Sequence, residues 1–537
     1  MARRGLAAAF QWTEARLDAA FGARHNPLHQ LGALGFFYYW VVAVTGIYLY
    51  VFFDTGTTEA YDSVEYLTVE QWYLGGVMRS LHRYASDGMV LMMAVHIVRE
   101  FAFGRFRGPR WFTWTTGVPV AGFVLAAGIT GYWLVWDTLA QYVAIATSEW
   151  FDWLGIFGER IARNFLTPAS LDDRFFTLLM FIHIVVPLFL LLVLWIHLLR
   201  VTRPAINPSR GLAAGTFVML LALSLAKPAV SHPPADLALV PTALQLDWFY
   251  LFPYPLMDAT SYGAVWGMTL CVTVVLVALP WLPPRWRAAP AVVHLESCNG
   301  CARCADDCPY EAITMRPRSD NLPFEREAAV DPALCTACGI CAGACPTAMP
   351  FRRRSALVPG IELPDLTIDD LRARCAAASA ALPATGKREP RILVFGCRHG
   401  APVEGLASSG DGGVAVVTQP CTAGIPPSFV DYALSRGLAD GVVVAGCAEG
   451  DCEYRFGPDW TDQRFARRRD PYLRTRVPRD RLAVVWTADG KALRRAVADL
   501  KARLADMTTD APGGDARGAV GGDAPAVAAA ASSGPHG

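Results

Sequence analysis

Long apolar segments, separated by short polar ones, dominate the first 285 residues of the chain. An α-helix rises about 1.5 Å per residue, so about 20 apolar residues cross the roughly 30 Å hydrocarbon layer of a membrane. The pattern predicts six membrane-spanning helices at about residues 33–53, 82–103, 116–136, 175–199, 211–230 and 262–283. Lys227 and Pro228 shorten the fifth of these segments. This half of the chain is therefore expected to be an all-α transmembrane bundle.

Arginine residues cluster before the first predicted span and after the second, fourth and sixth. Loops rich in Lys and Arg usually stay on the cytoplasmic side of a membrane. An even number of spans then places both termini, and everything after residue 285, in the cytoplasm. We expect a multi-pass protein of the cell's inner, cytoplasmic membrane, surrounded by lipid.

Beyond residue 390 the apolar runs become short and rich in β-branched residues, as in "RILVFGC", "GVAVVTQPC" and "GVVVAGC". They alternate with candidate helices such as 428–438, and "RLAVVWT" at 481–487 adds a possible strand. This alternation predicts a parallel α/β sheet, whose strands gather ligands at their carboxyl ends. The three runs end in cysteine, and a fourth cysteine follows closely: Cys397, Cys421, Cys447 and Cys452.

The predicted organisation is modular. A membrane domain (1–285) precedes a small α+β iron-sulfur domain (286–355), a linker (356–390), the α/β domain (391–506) and a disordered tail (507–537). Composition agrees with a membrane protein, since 53% of the residues are apolar and the formal net charge is zero. No basic patch is interleaved with aromatic residues, so we expect no nucleic-acid partner.

Four histidines stand at a duplicated spacing inside the predicted spans. His82 and His96 are 14 residues apart, and so are His183 and His197. Fourteen residues advance a helix by about 21 Å and almost four turns, which places both imidazoles on one face at two depths. Two such helices can hold two haems, with His82 and His183 near the outside and His96 and His197 near the cytoplasm. The alternative is that each His bonds a neighbouring helix, but the duplication favours haem.

Glycines repeat this spacing in the first and third spans, as Gly32 with Gly46 and Gly117 with Gly131. A haem wedged among helices needs missing side chains where its edge approaches the backbone. Close helix packing is the alternative explanation. Arg79 and Arg99 lie three residues before His82 and three after His96, which suits them to pair with haem propionates, with snorkelling as the alternative.

The chain has 14 cysteines, and eight of them form two runs, "CNGCARCADDCP" and "CTACGICAGACP". Both runs match C-x2-C-x2-C-x3-C-P, in which the fourth cysteine ligates the cluster of the other run. Zinc and disulfides are the disfavoured alternatives. We define the cluster-one cysteines as Cys298, Cys301, Cys304 and Cys345, and the cluster-two cysteines as Cys335, Cys338, Cys341 and Cys308. This segment resembles bacterial two-cluster 4Fe-4S ferredoxins.

Residues 20–285 resemble the dihaem cytochrome b of cytochrome bc complexes. The resemblance is carried by the histidine register, by "GYWLVWD" (131–137) and by "SLDDRFFTLLMFIHIVVP" (170–187). "LDWFYLFPY" (246–254) resembles the family's PEWY region, which implies that Asp247 accepts a proton from quinol at an outer quinone site. The family's inner-site His and Asp are missing from "RVTRPAINPSRG". Homodimers occur in this family.

The last domain resembles the delta subunit of methyl-viologen-reducing hydrogenase. That resemblance implies a 2Fe-2S cluster held by Cys397, Cys421, Cys447 and Cys452, which we call the C-terminal cysteines. It also implies a flavin-containing, heterodisulfide-reductase-like partner. Gly400 stands where the family usually has a further cysteine. Buried free thiols are the alternative, since unpaired cysteine is commonly buried.

Together the modules predict a quinone oxidoreductase subunit that exchanges electrons between quinone and a cytoplasmic partner. The expected cofactors are two b-type haems, two 4Fe-4S clusters, a 2Fe-2S cluster and quinone, with the 2Fe-2S cluster at the soluble end. The alternative function is an electron-conducting membrane anchor for a hydrogenase or disulfide reductase, with no quinone chemistry. Bifurcation would need a Rieske protein, whose motif this chain does not contain.

Overall fold

The computed structural model describes residues 2–509, except 162–165, 167–171, 202–203, 242, 284–287, 353–355, 384–388, 404–405, 407–412 and 449. The N-terminal half is helical. Its helices are α1 (Ala2–Phe21), α2 (Leu31–Phe52), α3 (Glu59–Glu65), α4 (Val77–Ala102), α5 (Trp111–Leu134), α6 (Thr138–Asp152), α7 (Asp173–Leu198), α8 (Arg210–Ala226), α9 (Pro253–Ala259) and α10 (Tyr262–Ala278).

Six of these helices, α2, α4, α5, α7, α8 and α10, coincide with the six predicted spans. Among the described residues, four helical segments are long and apolar enough to cross a membrane: Pro27–Phe52, Gly108–Leu134, Asp173–Leu198 and Tyr262–Trp281. Helix α8 has only 17 residues. Helix α4 has 26, but charged side chains such as Arg83 and Asp87 interrupt its apolar run. The charges therefore lie on the helix that carries His82 and His96.

The bundle is built around two helix pairs, since α2 packs along α4 and α5 packs along α7. Each pair joins one histidine-bearing helix to one helix with the glycine repeat. Buried side chains such as Tyr38, Leu81 and Leu190 fill the space between the helices. Outward-facing apolar side chains remain exposed, for example Val51 at 70% and Trp195 at 61%, as expected for surfaces that face lipid.

The iron-sulfur region contains two small antiparallel strand pairs. β1 (Val292–Val293) pairs with β4 (Ile361–Glu362), and β2 (Ile313–Pro317) pairs with β3 (Arg326–Val330). Short helices α11 (Arg303–Asp306) and α12 (Ile340–Ala344) lie within the two cysteine runs. The strands hold the two runs against each other, which is the arrangement that shared clusters require.

The segment 356–390, expected to be a linker, contains ordered structure. It supplies β4 and helix α13 (Ile368–Ala380), which begins with a capping box between Thr367 and Asp370. Ile368, Leu371 and Cys375 are buried against the core of the soluble half. The sequence "TIDD" is the N-terminal signal of this helix, and its apolar face packs on the sheet domain that follows.

The last domain has the predicted parallel sheet. β5 (Ile392–Cys397), β6 (Val414–Gln419), β7 (Gly441–Gly446) and β8 (Leu482–Trp486) are arranged in the order β6-β5-β7-β8, all parallel. Helices α14 (Ser428–Ser435), α15 (Gly457–Phe465) and α16 (Gly490–Thr509) complete it. The tail predicted to be disordered lies outside the described residues from 510 onwards.

Candidate functional site

His82 on α4 and His183 on α7 face each other across the bundle. Their ring centroids are 6.3 Å apart. Two imidazoles that coordinate one metal from opposite sides at about 2 Å each would have ring centres about 6 Å apart. The pair therefore leaves room for one metal between its rings. This is the spacing that the predicted outer haem needs.

The four repeated glycines lie against the four histidines. A β-carbon on Gly46 would come within 3.0 Å of His82 Cε1, and one on Gly131 within 2.9 Å of His183 Cε1. At the second level the corresponding distances are 3.1 Å from Gly117 to His197 Cε1 and 4.0 Å from Gly32 to His96 Cε1. A larger residue at Gly46, Gly117 or Gly131 would press on an imidazole, whereas a β-carbon on Gly32 would make only ordinary van der Waals contact. His96 and His197 are also close enough to interact electrostatically.

Threonine hydroxyls hold three of the imidazoles. The distances from Oγ1 to Nδ1 are 3.2 Å for Thr45 and His82, 3.3 Å for Thr116 and His197, and 3.2 Å for Thr130 and His183. Each hydroxyl donates to the carbonyl four residues earlier in its helix, so its oxygen faces the Nδ1–H group as an acceptor. For His82 the Val42 carbonyl oxygen, 3.0 Å from Nδ1, is a second acceptor. The Nε2 lone pair is then free for a metal.

These threonines were missed by the sequence analysis, although a signal for them exists. Each one immediately precedes a repeated glycine, as Thr-Gly at 45–46, 116–117 and 130–131. At the fourth position Leu31 precedes Gly32, so this position has no hydroxyl for His96. The four imidazoles are therefore not held equivalently.

Arg79 and Arg99 are engaged with protein groups. Arg79 donates to Thr68 and Ser231, the latter at 2.9 Å, and lies 3.6 Å from Glu65. Arg99 is buried; it donates to Glu14 at 2.7 Å and to Asp451 at 2.6 Å. Their pairing with haem propionates remains a prediction.

Asp247 belongs to a charged cluster whose Arg83 follows His82 in helix α4. Tyr132 donates a 2.5 Å hydrogen bond to Asp247 Oδ2, and Arg83 Nη2 lies 3.1 Å from the same oxygen. Arg83 also lies 3.3 Å from Asp87. Two carboxylates thus share one guanidinium in a mostly apolar setting. Ionisable side chains inside a membrane usually mark a functional site.

The cluster-one cysteines line one cavity, in which Cys298, Cys301 and Cys304 from the first run meet Cys345 from the second. Cys301 is exposed, while Cys304 and Cys345 are buried. Burial, together with the neighbouring thiols, raises the pKa of the Cys304 thiol to about 12. Thiolates there need a positively charged group between them, as a bound metal cluster provides.

The cluster-two cysteines gather in the same crossed way. Burial raises the pKa of the Cys338 thiol to about 12, and Cys308 of the first run and Cys335 contribute to this rise. Backbone N–H groups donate to two of these sulfurs, from Ala312 to Cys308 at 3.2 Å and from Ala291 to Cys335 at 3.4 Å. Such N–H···S bonds stabilise cluster thiolates and tune their potential.

The C-terminal cysteines meet at the carboxyl edge of the sheet. Cys397 ends β5, and its sulfur lies 3.6 Å from that of Cys447, which follows β7. A β-carbon on Gly457 would lie 2.6 Å from Cys421 Sγ and 3.1 Å from Cys452 Sγ, so these two sulfurs flank the same glycine. At Gly400 a β-carbon would come within 2.8 Å of the Gly446 carbonyl oxygen. This backbone has no space for cysteine at position 400.

Acidic residues beside Cys452 connect the sheet domain to the helical half. Besides its contact with Arg99, Asp451 lies 3.1 Å from Arg105. Glu453 lies 2.8 Å from Arg105 and 2.9 Å from Arg110. Burial alone would raise the pKa of the Glu453 carboxyl, but Arg110 and Arg105 hold it below its usual range. Buried, paired charges of this kind fix one orientation of the two halves.

Comparisons with known proteins assign each part of the chain. Residues 19–204 match the family described as cytochrome b/b6/petB, residues 297–349 match a 4Fe-4S dicluster domain, and residues 392–508 match the delta subunit of methyl-viologen-reducing hydrogenase. The suspected resemblances are thereby confirmed. Haem and iron-sulfur clusters are accordingly the cofactor types of this chain.

The chain is 30% identical over 212 residues to cytochrome b6 of Auxenochlorella protothecoides, covering 37% of this chain and 97% of that protein. It is 28% identical over 212 residues to cytochrome b6 of Porphyra purpurea, with the same coverage. A solved structure titled "Hyperthermophilic respiratory Complex III" shares 16% identity at a TM-score of 0.39, covering 47% of this chain and 75% of that one. A TM-score this low does not by itself establish a common fold.

Proposed function

Because the chain belongs to the cytochrome b family, we propose that it exchanges electrons between quinone and a soluble redox partner. It is a multi-pass membrane protein for electron transfer, with iron-sulfur domains on the same chain. The proposed route runs from an outer quinone site through two haems and three iron-sulfur clusters. The observation that carries the quinone assignment is the Asp247–Tyr132–Arg83 cluster beside His82.

The described residues fit two haems. At the outer level His82 and His183 have the ring separation of a shared metal, and Gly46 and Gly131 leave space beside them. At the inner level His96 and His197 have the matching glycines. Bound haem supplies a one-electron acceptor at each level, while the threonines fix the tautomer of three imidazoles. These three histidines would thus present Nε2 to the cofactor.

Asp247 is the proposed proton acceptor. Asp247 shares the Arg83 guanidinium with Asp87, and its Oδ2 is a carboxylate oxygen that can take up a proton. Tyr132 donates to this same oxygen. Its hydroxyl can therefore accept a proton from a quinol hydroxyl while it gives its own proton to the carboxylate. General bases act through such direct hydrogen bonds. Proton removal here would accompany loss of an electron towards His82.

The proposed orientation puts the iron-sulfur domains in the cytoplasm. Arg105 and Arg110, in the loop between α4 and α5, contact Asp451 and Glu453 of the sheet domain. The soluble half therefore lies on the side of this arginine-rich loop, which the positive-inside rule assigns to the cytoplasm. We propose a flavin-containing, heterodisulfide-reductase-like protein as the partner on that side, and a homodimer in the membrane.

The quinone assignment is tested by replacing the carboxylate. We expect Asp247→Asn to slow haem reduction by a short-chain quinol by about 100-fold, the usual contribution of a general base. The matched control is Asp258→Asn in the same segment, whose partner is the Tyr142 hydroxyl at 2.8 Å. Haem reduction is followed through its α-band in the purified full-length protein. Unchanged haem reduction in Asp247→Asn would reject Asp247 as the proton acceptor. If quinol does not reduce the haems of the native protein, the conducting anchor without quinone chemistry is favoured instead.

A further inference from the structure

The C-terminal cysteines occupy an internal place in the chain of redox centres. The order expected from the sequence puts their cluster at the soluble end, beyond both ferredoxin clusters. We propose instead that the C-terminal cluster is the relay between the inner haem and cluster two, and that cluster one is the end that faces a partner. This proposal rests on the proposed haem and cluster sites but does not depend on quinone chemistry.

The first contact joins the C-terminal cysteines to the inner haem level. Arg99 lies three residues after His96 on α4, which is nearly one helical turn. Its guanidinium donates to Asp451 Oδ1 at 2.6 Å, and Cys452 is the next residue. A β-carbon on Gly450 would also lie 3.5 Å from His29, just before α2. The loop that carries Cys452 is thus inserted into the inner end of the helical bundle.

The second contact joins the C-terminal cysteines to cluster two. Cys338 and Cys421 belong to one buried apolar group with Ile340, Ala423 and Trp460. A β-carbon on Gly424 would lie 3.1 Å from the Gly339 carbonyl oxygen and 3.6 Å from that of Cys338. The turn after Cys421 therefore packs directly on the loop that carries a cluster-two cysteine.

Arg464 reinforces this second contact from within the sheet domain. Its buried guanidinium donates to the Ala423 carbonyl oxygen at 2.6 Å and to Asp307, which precedes Cys308. The C-terminal cysteines thus have one neighbour on each side. The residues just before Cys452 contact the helical half, and the turn after Cys421 contacts the loop of cluster two.

Cluster one lies at the other end of this sequence of contacts. Helix α11, which carries Cys304 of cluster one, packs against helix α12, which carries Cys341 of cluster two, so the two ferredoxin sites adjoin. Cys301 is exposed, in contrast to Cys397, Cys421 and Cys447, which are all buried. A soluble redox protein would therefore approach cluster one more closely than the C-terminal cluster.

Each step moves one electron without making or breaking a covalent bond. For flow away from the membrane, the haem at His96 and His197 is oxidised from ferrous to ferric, and the C-terminal cluster is reduced by the same electron. That cluster is then reoxidised as cluster two is reduced. The reverse order of steps describes flow towards the membrane. The protein holds the centres in sequence and needs no further reactant.

The test uses electron paramagnetic resonance of the oxidised full-length protein in lipid nanodiscs. Irradiation at liquid-nitrogen temperature with a low dose reduces a fraction of the clusters and of the haems, so most haems stay ferric. On stepwise annealing, we expect the ferric signal of the inner haem to fall in the native protein. In Cys452→Ser, which we expect to lack the C-terminal cluster signal, the ferredoxin signals should persist and the haem signal should not fall. The matched control is Cys271→Ser, whose cysteine is exposed on α10.

An equal fall of the haem signal in Cys452→Ser would overturn the relay. A second measurement covers the case in which this variant does not assemble. Ferric haem should speed the spin relaxation of the C-terminal cluster, and His96→Ala or His197→Ala should abolish that effect, whereas His82→Ala should retain it. Faster relaxation of the ferredoxin signals instead would also overturn the proposal. Neither readout involves quinol, so failure of the proposed quinone site is recognised separately.

Discussion

Thr130 Oγ1 lies 3.2 Å from His183 Nδ1, and the Thr130 hydroxyl donates to the Ala126 carbonyl oxygen at 2.9 Å. The hydroxyl proton is thus committed to the helix, and the threonine oxygen is left as an acceptor for the imidazole N–H. Hydrogen bonds of this kind make a metal-bound imidazole more basic. They therefore stabilise ferric over ferrous haem.

We expect Thr130→Val to raise the midpoint potential of the outer haem. Loss of a hydrogen bond worth about 0.5–1.5 kcal/mol corresponds to roughly 20–60 mV for one electron. Thr130→Ser should restore the native value, because it keeps the hydroxyl. Thr177→Val on α7 is the matched control, since its hydroxyl bonds only the Asp173 carbonyl in the described structure. Redox titration of the α-band measures the effect, and a lowered potential would contradict it.

The glycine repeat gives a prediction about haem content. We expect Gly131→Leu to remove the outer haem, because its β-carbon would already lie 2.9 Å from His183 Cε1 and the larger side chain would fill the space beyond. Haem per polypeptide should fall from about two to about one, measured as pyridine haemochrome. Gly122→Leu on the same helix should keep both haems, because a β-carbon there has no neighbour within 4 Å. Equal haem content in the two variants would reject the role of the repeat.

Much of the helical half could be predicted because its histidines and glycines recur at one fixed spacing. The spacing of 14 residues recurs in the histidines and the glycines, and the structure brings Gly46 against His82 and Gly131 against His183. The cysteine runs were equally informative, since their spacing implied the crossed grouping that brings Cys345 beside Cys304. Local patterns with a fixed period carry such information without any knowledge of tertiary contacts.

Contacts between distant segments could not be predicted in this way. Arg99 pairs with Glu14 and with Asp451, which is 352 residues away, and no local pattern identifies such partners. The same holds for the place of Cys452 against the helical half. The Thr-Gly pairs and the "TIDD" capping box, in contrast, were readable signals. These two signals indicate hydrogen bonds, which cannot be predicted from the spacing of apolar residues.

The crossed cysteine grouping predicts which cluster each substitution removes. We expect Cys345→Ser, in the second run, to abolish the signal of the cluster that Cys298, Cys301 and Cys304 hold. Replacing Cys308 should abolish the other signal. The signals are distinguished by paramagnetic resonance after reduction, with iron content measured in parallel. Cys375→Ala is the control, since Cys375 is buried on α13 and belongs to neither run. Loss of the same signal in Cys345→Ser and Cys335→Ser would show uncrossed ligation.

Docking of the sheet domain on the helical half should depend on Glu453. Glu453→Gln removes the carboxylate that Arg105 and Arg110 share. Breaking a fully buried pair costs about 3–5 kcal/mol, and this partly buried pair should cost less. We expect faster hydrogen–deuterium exchange in the peptides that contain Glu453 and in the loop that contains Arg105. The exchange rate of the sheet strands should not change. Asp459→Asn, an exposed change on α15, should leave exchange at the native rate. If Glu453→Gln exchanges these amides at the native rate, apolar packing alone holds the two halves together.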